Sequence, residues 1–267
     1  MPFEPRFEVL PASQQKLWPD LAPVKDLGFT LYGGTAIALR RGHRTSVDFD
    51  FFSDRPLDKQ ALVAALPALE GPGAEVLQES ANTFVALVQP PLDRPLLGPV
   101  AADEFGDGRV KVSFFGDLTI GRVGDPELTS DGALLVAHPR DLMATKLKTL
   151  FQRIELKDYV DIHELLQHGQ SLTRGLADAA ALWPGFPPGD CLGALGYHQS
   201  PQLHALSGAQ KATLNAKIGL AQQELSKMKQ FTPAPKKSGQ LGLDDAAMAR
   251  ERQAALSPNN GRDAWSR

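Results

Sequence analysis

Gly33 and Gly34 are followed by Thr35 and, with thirteen residues between Gly34 and it, by the run Asp48-Phe49-Asp50-Phe51. No other feature limits so narrowly what this chain can fold into. Glycines lack Cβ atoms, so backbone N–H groups can approach an anion closely, and the helix predicted from Thr35 to Arg40 points its positive N-terminus at the same place. The run from Ser46 to Phe52 alternates with the period of a strand, which puts Asp48 and Asp50 on one face and Val47, Phe49 and Phe51 on the other. An apolar face anchored in a core leaves both carboxylates to converge on one hard cation with oxygen ligands, Mg²⁺ or Mn²⁺. A phosphate-cradling turn beside a two-carboxylate clamp suits a metal-bound nucleoside triphosphate.

This spacing resembles the signature of the polymerase-β-type nucleotidyltransferase superfamily: a glycine followed by Gly or Ser, a spacer, then Asp, an apolar residue, Asp or Glu, and a second apolar residue. The wider string, Gly33-Gly34-Thr35-Ala36, Gly42-His43-Arg44 and Ser46 to Phe52, is similar to the AbiEii/AbiGii toxin-type branch, and the similarity runs from about residue 30 to about residue 166. That branch supplies the toxin half of bacterial toxin–antitoxin and phage-defence systems. The resemblance extends downstream to Lys146, Arg153 and Lys157-Asp158-Tyr159-Val160-Asp161, which match the family's second motif.

The second motif can also be read without the family. His138-Pro139-Arg140-Asp141 is a helix start, with Pro in the first turn and Asp141 near the positive end of the dipole. On the helix that follows, Leu142, Met143, Leu147, Leu150 and Phe151 make one apolar arc, and Lys146 falls inside it while Lys148 does not. On the next predicted helix, Asp158 lies on the side of Ile162 and Leu165, and Asp161 sits at its edge. One inward cation and one inward anion need each other or a ligand. If phosphate is the partner of Lys146, the lysine is strained without it, and its removal would raise the stability of the ligand-free protein. If the pair is a buried structural salt bridge, removal would lower it. Arg44, with His43, is read as orienting the loop or capping the helix that Gly42 ends, and Tyr159 as core packing.

The superfamily often carries a third carboxylate on a later strand. The strand predicted from Arg109 to Phe115 offers Ser113 at that place, and a hydroxyl cannot replace a carboxylate without loss of charge. Relatives with Ser on this strand belong to the resemblance, which also suggests Asp158 as the general base. Arg153 is read as adding positive charge near the leaving phosphates.

The formal charge of −3 in 267 residues argues against a generally basic nucleic-acid coating protein but leaves room for a local basic groove. The single cysteine, Cys191, excludes an internal disulfide and suits a reducing cytoplasm; its apolar surroundings in sequence point to packing. No apolar run approaches the roughly twenty residues of a spanning helix, so the expectation is a cytoplasmic protein with no membrane partner.

The fold class read from these patterns is α+β: a small mixed nucleotidyltransferase sheet with flanking helices, then a helical C-terminal half. Residues 1–125 are assigned to the sheet domain, 126–231 to a helical domain that completes the cleft, and 232–267 to a linker and disordered tail with a short helix at 244–256. Strands are expected at Glu75–Glu79, Thr83–Val88, Arg109–Phe115 and Leu118–Val123. The site is expected to combine Asp48 and Asp50 as metal ligands and Gly33, Gly34, Thr35, Lys146 and Arg153 as nucleotide contacts. Asp158 completes it, with Arg44, Ser113 and Asp161 auxiliary. What the resemblance implies is a nucleoside triphosphate substrate, an RNA acceptor such as the tRNA 3′ end, and an antitoxin partner. Nucleotidylation of a small molecule or protein, and a non-catalytic nucleotide-binding protein, are the alternatives. Lys211, Lys217, Lys227 and Lys229 read as a solvated helix face rather than an RNA contact.

Overall fold

The computed structural model describes residues 2–101 and 108–227; the expected linker and tail at 232–267, the helix at 244–256 and Lys229 lie outside these residues. The strands are β1 (Thr30–Tyr32), β2 (Asp48–Phe52), β3 (Glu75–Ser80), β4 (Thr83–Val88), β5 (Val110–Phe115), β6 (Glu127–Leu128) and β7 (Leu135–Val136). They form one mixed sheet in the order β3-β4-β5-β2-β1-β7-β6. β2 runs parallel to β5 and antiparallel to β1, at the centre of the sheet.

Strict alternation on β2 decides which face becomes core. Phe49 and Phe51 are fully buried, and Phe51 stacks on Phe114 of β5 at 5.1 Å while Trp18 closes on Phe49 at 6.1 Å. Phe84, Ala86 and Val88 of β4 lie on the same face through their pairing with Phe114, Val112 and Val110. Burying an aromatic side chain contributes roughly 1.5–3 kcal/mol each, so this face fixes the register of the strands that carry Asp48 and Asp50.

The helices are α1 (Ala12–Leu17), α2 (Gly33–Arg41), α3 (Lys59–Ala65), α4 (Pro139–Leu150), α5 (Leu156–Gln167), α6 (Leu172–Leu182), α7 (Pro188–Gly196) and α8 (Gly208–Lys227). α2 lies against α4 and α5 and joins the sheet to the helical half. Arg40 on α2 donates to Glu127 at 2.6 Å and to the carbonyl of Ala137 at 3.0 Å, which ties that helix to the β6–β7 edge. α4 begins as expected: Pro139 is in the first turn, and the Nδ1 of His138 accepts the Arg140 N–H. α6 crosses α4 closely at Gly175, where a Cβ would meet Met143 Cγ at 2.5 Å. Tyr159 and Cys191 are fully buried.

Three expectations are corrected. Residues 118–123 form no strand, because Asp117 (φ 55°) and Gly121 (φ 69°) turn the backbone into the left-handed region. The segment instead loops beside the sheet, with the Leu118 N–H on the Ser53 carbonyl at 3.1 Å and the Val123 and Gly124 N–H groups on Asp141 at 2.9 and 2.8 Å. β6 and β7 were not anticipated, being two residues each, and they extend the sheet from beyond position 125. Phe151 falls outside the buried arc at 39% exposure, because α4 ends one residue before it. No described helix is long and apolar enough to cross a membrane.

Candidate functional site

One face of the central strands is left uncovered by core and floors a cleft of about 1130 Å³. Asp48 and Asp50 point into it from β2. The parallel register with β5 sets Lys111 beside Asp48 and Ser113 beside Asp50. Ser113 thus occupies the position expected of a third carboxylate, beside Asp50 in register. Dense surroundings push the Asp50 carboxyl above its ordinary range, and the charge of Asp48 pushes it further; Lys111, Ser113 and Lys146 pull it back. Lys111 is the residue the sequence reading missed. Alternation along β5 could have placed it on the Ser113 face, but nothing local says that β5 lies next to β2.

The glycine pair closes the same side. Gly33 has φ +72°, and a Cβ there would come within 2.6 Å of Asp50 Oδ2; at Gly34 a Cβ would meet Arg44 Nη2 at 2.2 Å. Both glycines are therefore required by the carboxylate and guanidinium beside them, whatever a ligand needs. They open α2, whose first residues receive no side-chain cap, so an N-terminal dipole with unused N–H groups borders the cleft. Thr35 behaves differently from expectation: it is buried, and its hydroxyl donates to the Asp48 carbonyl and lies 2.8 Å from Ser46 Oγ. It fastens α2 to β2 rather than lining the cleft.

Across the cleft, Lys146 meets two anions. Its Nζ lies 2.7 Å from Asp158 Oδ1 and 2.7 Å from Asp161 Oδ2. Burial would lower the lysine's proton affinity, but Asp161 and Asp158 raise it, so it stays charged. Two of its three N–H groups are engaged by these contacts, and the residue lines the cleft. Asp161 is more than auxiliary: Arg44 forks onto it at 2.7 and 2.8 Å and His43 Nε2 at 2.8 Å. His43 and Arg44 thus hold the loop after α2 against α5. Burial would raise both carboxyls, yet Lys146 with Arg153 holds Asp158 below its ordinary value, and Lys146, His43 and Arg44 hold Asp161 well below.

This arrangement bears on the task expected of Asp158. A general base must reach the proton it accepts and retain affinity for it. Asp158 is fully buried, is paired to Lys146 and to Arg153 Nε at 3.0 Å, and does not line the cleft. Its contacts place it beside Lys146, not facing the cleft. Arg153 borders the cleft while also pairing with Glu155. The strained, partnerless lysine is likewise not found. Lys146→Ala is expected to lower ligand-free stability by about 1–3 kcal/mol, because it strips a donor from two buried carboxylates. Urea denaturation checks this, and a stabilised variant would contradict it. Lys211, Lys217 and Lys227 lie on α8 and none lines the cleft.

Comparison with known proteins is consistent with this geometry. The sequence profile described as "Nucleotidyl transferase AbiEii toxin, Type IV TA system" matches residues 20–258. An uncharacterized protein of Aquifex aeolicus is 30% identical over 147 residues, which is 54% of this chain and 61% of that protein, so the match spans about three fifths of the relative's length. Among solved structures, MenT4, a nucleotidyltransferase toxin of Mycobacterium tuberculosis, superposes with a TM-score of 0.52 at 13% identity, over 91% of this chain and 90% of that one. An H. pylori chain superposes with a TM-score of 0.50 at 14% identity, over 82% and 97% respectively. At such identities these two likenesses concern the fold.

Proposed function

The chain belongs to the AbiEii nucleotidyl transferase toxin family, and from that premise we propose that it transfers a nucleoside monophosphate from a nucleoside triphosphate to an RNA 3′ end, as the toxin of a type IV toxin–antitoxin pair. The observation that carries this reading is the convergence of Asp48 and Asp50, the glycine-opened end of α2, and Lys146 on one cleft. Anion-binding groups on two walls face paired carboxylates on the floor.

The residues present fit one divalent ion. Two carboxylates lie on one strand face, and the proton affinity of Asp50 is raised first by burial and then by the charge of Asp48, an effect that Lys111, Ser113 and Lys146 oppose. Asp48 and Asp50 would hold Mg²⁺ or Mn²⁺, and the ion would supply charge neutralisation of the phosphoryl oxygens. Among the described residues no third carboxylate joins them. Lys146, fixed by Asp158 and Asp161, can donate its remaining N–H to a phosphate oxygen. The N–H groups at Gly33 and Gly34 offer a second hold, and Lys111 a further positive charge.

A cleft of about 1130 Å³ exceeds the ~300–1,000 Å³ of most small-molecule sites, which leaves room for an acceptor beside the nucleotide. An unpaired RNA end presents its hydroxyl without the cost of opening a duplex, and the tRNA 3′ end has that form.

Incubation with each labelled nucleoside triphosphate, Mg²⁺ and total RNA should place label on RNA. Periodate oxidation of the 3′ end should block transfer, and rising salt should weaken RNA binding. Label on protein or on a small metabolite would overturn the acceptor assignment. Nucleotide binding without any transfer would favour a binding protein that lost turnover with the third carboxylate, the one reading that Ser113 specifically supports.

A further inference from the structure

The two faces of the central strands treat the same residue types differently. Phe49, Phe51 and Phe114 are fully buried on the core face. Tyr32, Phe52 and Phe115 are left partly exposed on the face that carries Asp48 and Asp50, and all three line the cleft. Phe52 and Phe115 are register partners whose rings stack at 5.1 Å with planes 24° apart. Tyr32 stands edge-on to Phe52 at 5.0 Å and 69°. Three aromatic groups held against one another and kept open to the cleft that holds Asp48, Asp50 and Lys146 cost hydrophobic burial, and packing alone gives no reason for them.

Their position supplies one. Phe52 is two residues beyond Asp50 on β2, about 6.7 Å along the strand. A nucleotide whose phosphates lie at Asp50 and Lys146 would set its base over these rings, the ribose spanning the interval. The 116–126 loop borders the same end, since its Leu118 N–H bonds the carbonyl of Ser53, the neighbour of Phe52. On the reading that Asp48, Asp50 and Lys146 bind a triphosphate, we infer that the Phe52–Phe115 strip, edged by Tyr32, seats the base of the incoming nucleotide. A flat apolar platform recognises the π-face that all bases share. It therefore contributes affinity for a nucleotide over a bare polyphosphate, while discrimination among bases falls to the polar groups around its rim.

The test is equilibrium binding to the full chain, with Mg²⁺, of labelled nucleoside triphosphates and of inorganic tripolyphosphate. Phe52→Leu and Phe115→Leu keep apolar volume but remove the ring, and Phe52→Tyr restores it. Each leucine variant should weaken nucleotide binding by about 10- to 100-fold. Tripolyphosphate binding should not change, and Phe52→Tyr should bind the nucleotide like wild type. Cooperative thermal melts establish which variants are folded. If Phe52→Leu is not, Phe115→Leu and Phe52→Tyr carry the comparison.

Equal weakening for both ligands, or unchanged nucleotide binding, would overturn the inference and leave the triphosphate site standing. A rise confined to the KM for RNA would also overturn it, assigning the strip to the acceptor. Failure of wild type to bind either ligand would overturn the triphosphate reading as well.

Discussion

Asp50→Asn is expected to cut nucleotidyl transfer by at least about 10³-fold, some 4 kcal/mol of barrier, while raising the melting temperature of the metal-free protein at neutral pH. The two effects have one cause. Burial beside Asp48 holds the Asp50 carboxyl above its ordinary value, so the folded state binds this proton more tightly than the unfolded state. The stabilising contribution of such a group is present below the unfolded value and is lost as pH rises through the folded one. At pH 7, where the carboxyl is ionised in the unfolded chain, the buried group therefore opposes folding, and a neutral isostere removes the penalty, at roughly 2–4 °C per kcal/mol for a chain of this size. Near pH 3, where the wild-type group is protonated in both states, the two melting temperatures should converge. Fluorescence-monitored melts at the two pH values, together with the transfer assay, measure both halves. A variant that keeps a tenth of wild-type activity, or melts lower at pH 7, removes Asp50 from the assignment. Asp48→Asn should lose transfer to a similar degree, since either change halves the anionic ligand set.

That Asp48 and Asp50 share a face was legible because period-2 alternation is a local property of five residues. Lys146 was legible as an anomaly for a similar reason, a cation at a helical spacing that calls for leucine. Its partners were not fixed in the same way, because a buried lysine can be met by a phosphate or by carboxylates and periodicity does not distinguish them. The Arg44–Asp161 pair spans 117 residues and depends on how α2 lies against α5, which no local pattern encodes. Residues 118–123 failed in the opposite sense: their composition is strand-like, but the left-handed backbone at Asp117 and Gly121 and the pull of Asp141 on the Val123 and Gly124 N–H groups override it. The glycine pair was read for what it would admit. Its nearest constraint is what already fills the space, Asp50 Oδ2 and the Arg44 guanidinium.

Asp161→Ala should be the most damaging single change to the fold of the site. Asp161 is fully buried and accepts from Arg44 in a fork, from His43 and from Lys146. Those contacts join the loop after α2 to α4 and α5, the elements that set one wall of the cleft against the other. Removing the anion leaves Lys146 with Asp158 alone and takes from the Arg44 guanidinium the carboxylate it forks onto. Breaking one side of a buried ion pair costs about 3–5 kcal/mol, and three donors lose their acceptor here. The pH dependence identifies the cause. Lys146, His43 and Arg44 hold Asp161 well below its ordinary value against the opposing effect of burial. Its contribution is therefore fully present above the unfolded carboxylate range, near pH 4, and declines as pH falls toward the depressed folded value. Urea denaturation of wild type and variant at pH 7 and at pH 3 should show the stability gap narrowing at the lower pH. A loss under about 1 kcal/mol at pH 7 would mean that Arg44 and Lys146 find other partners, and that Asp161 is not what holds the two walls together.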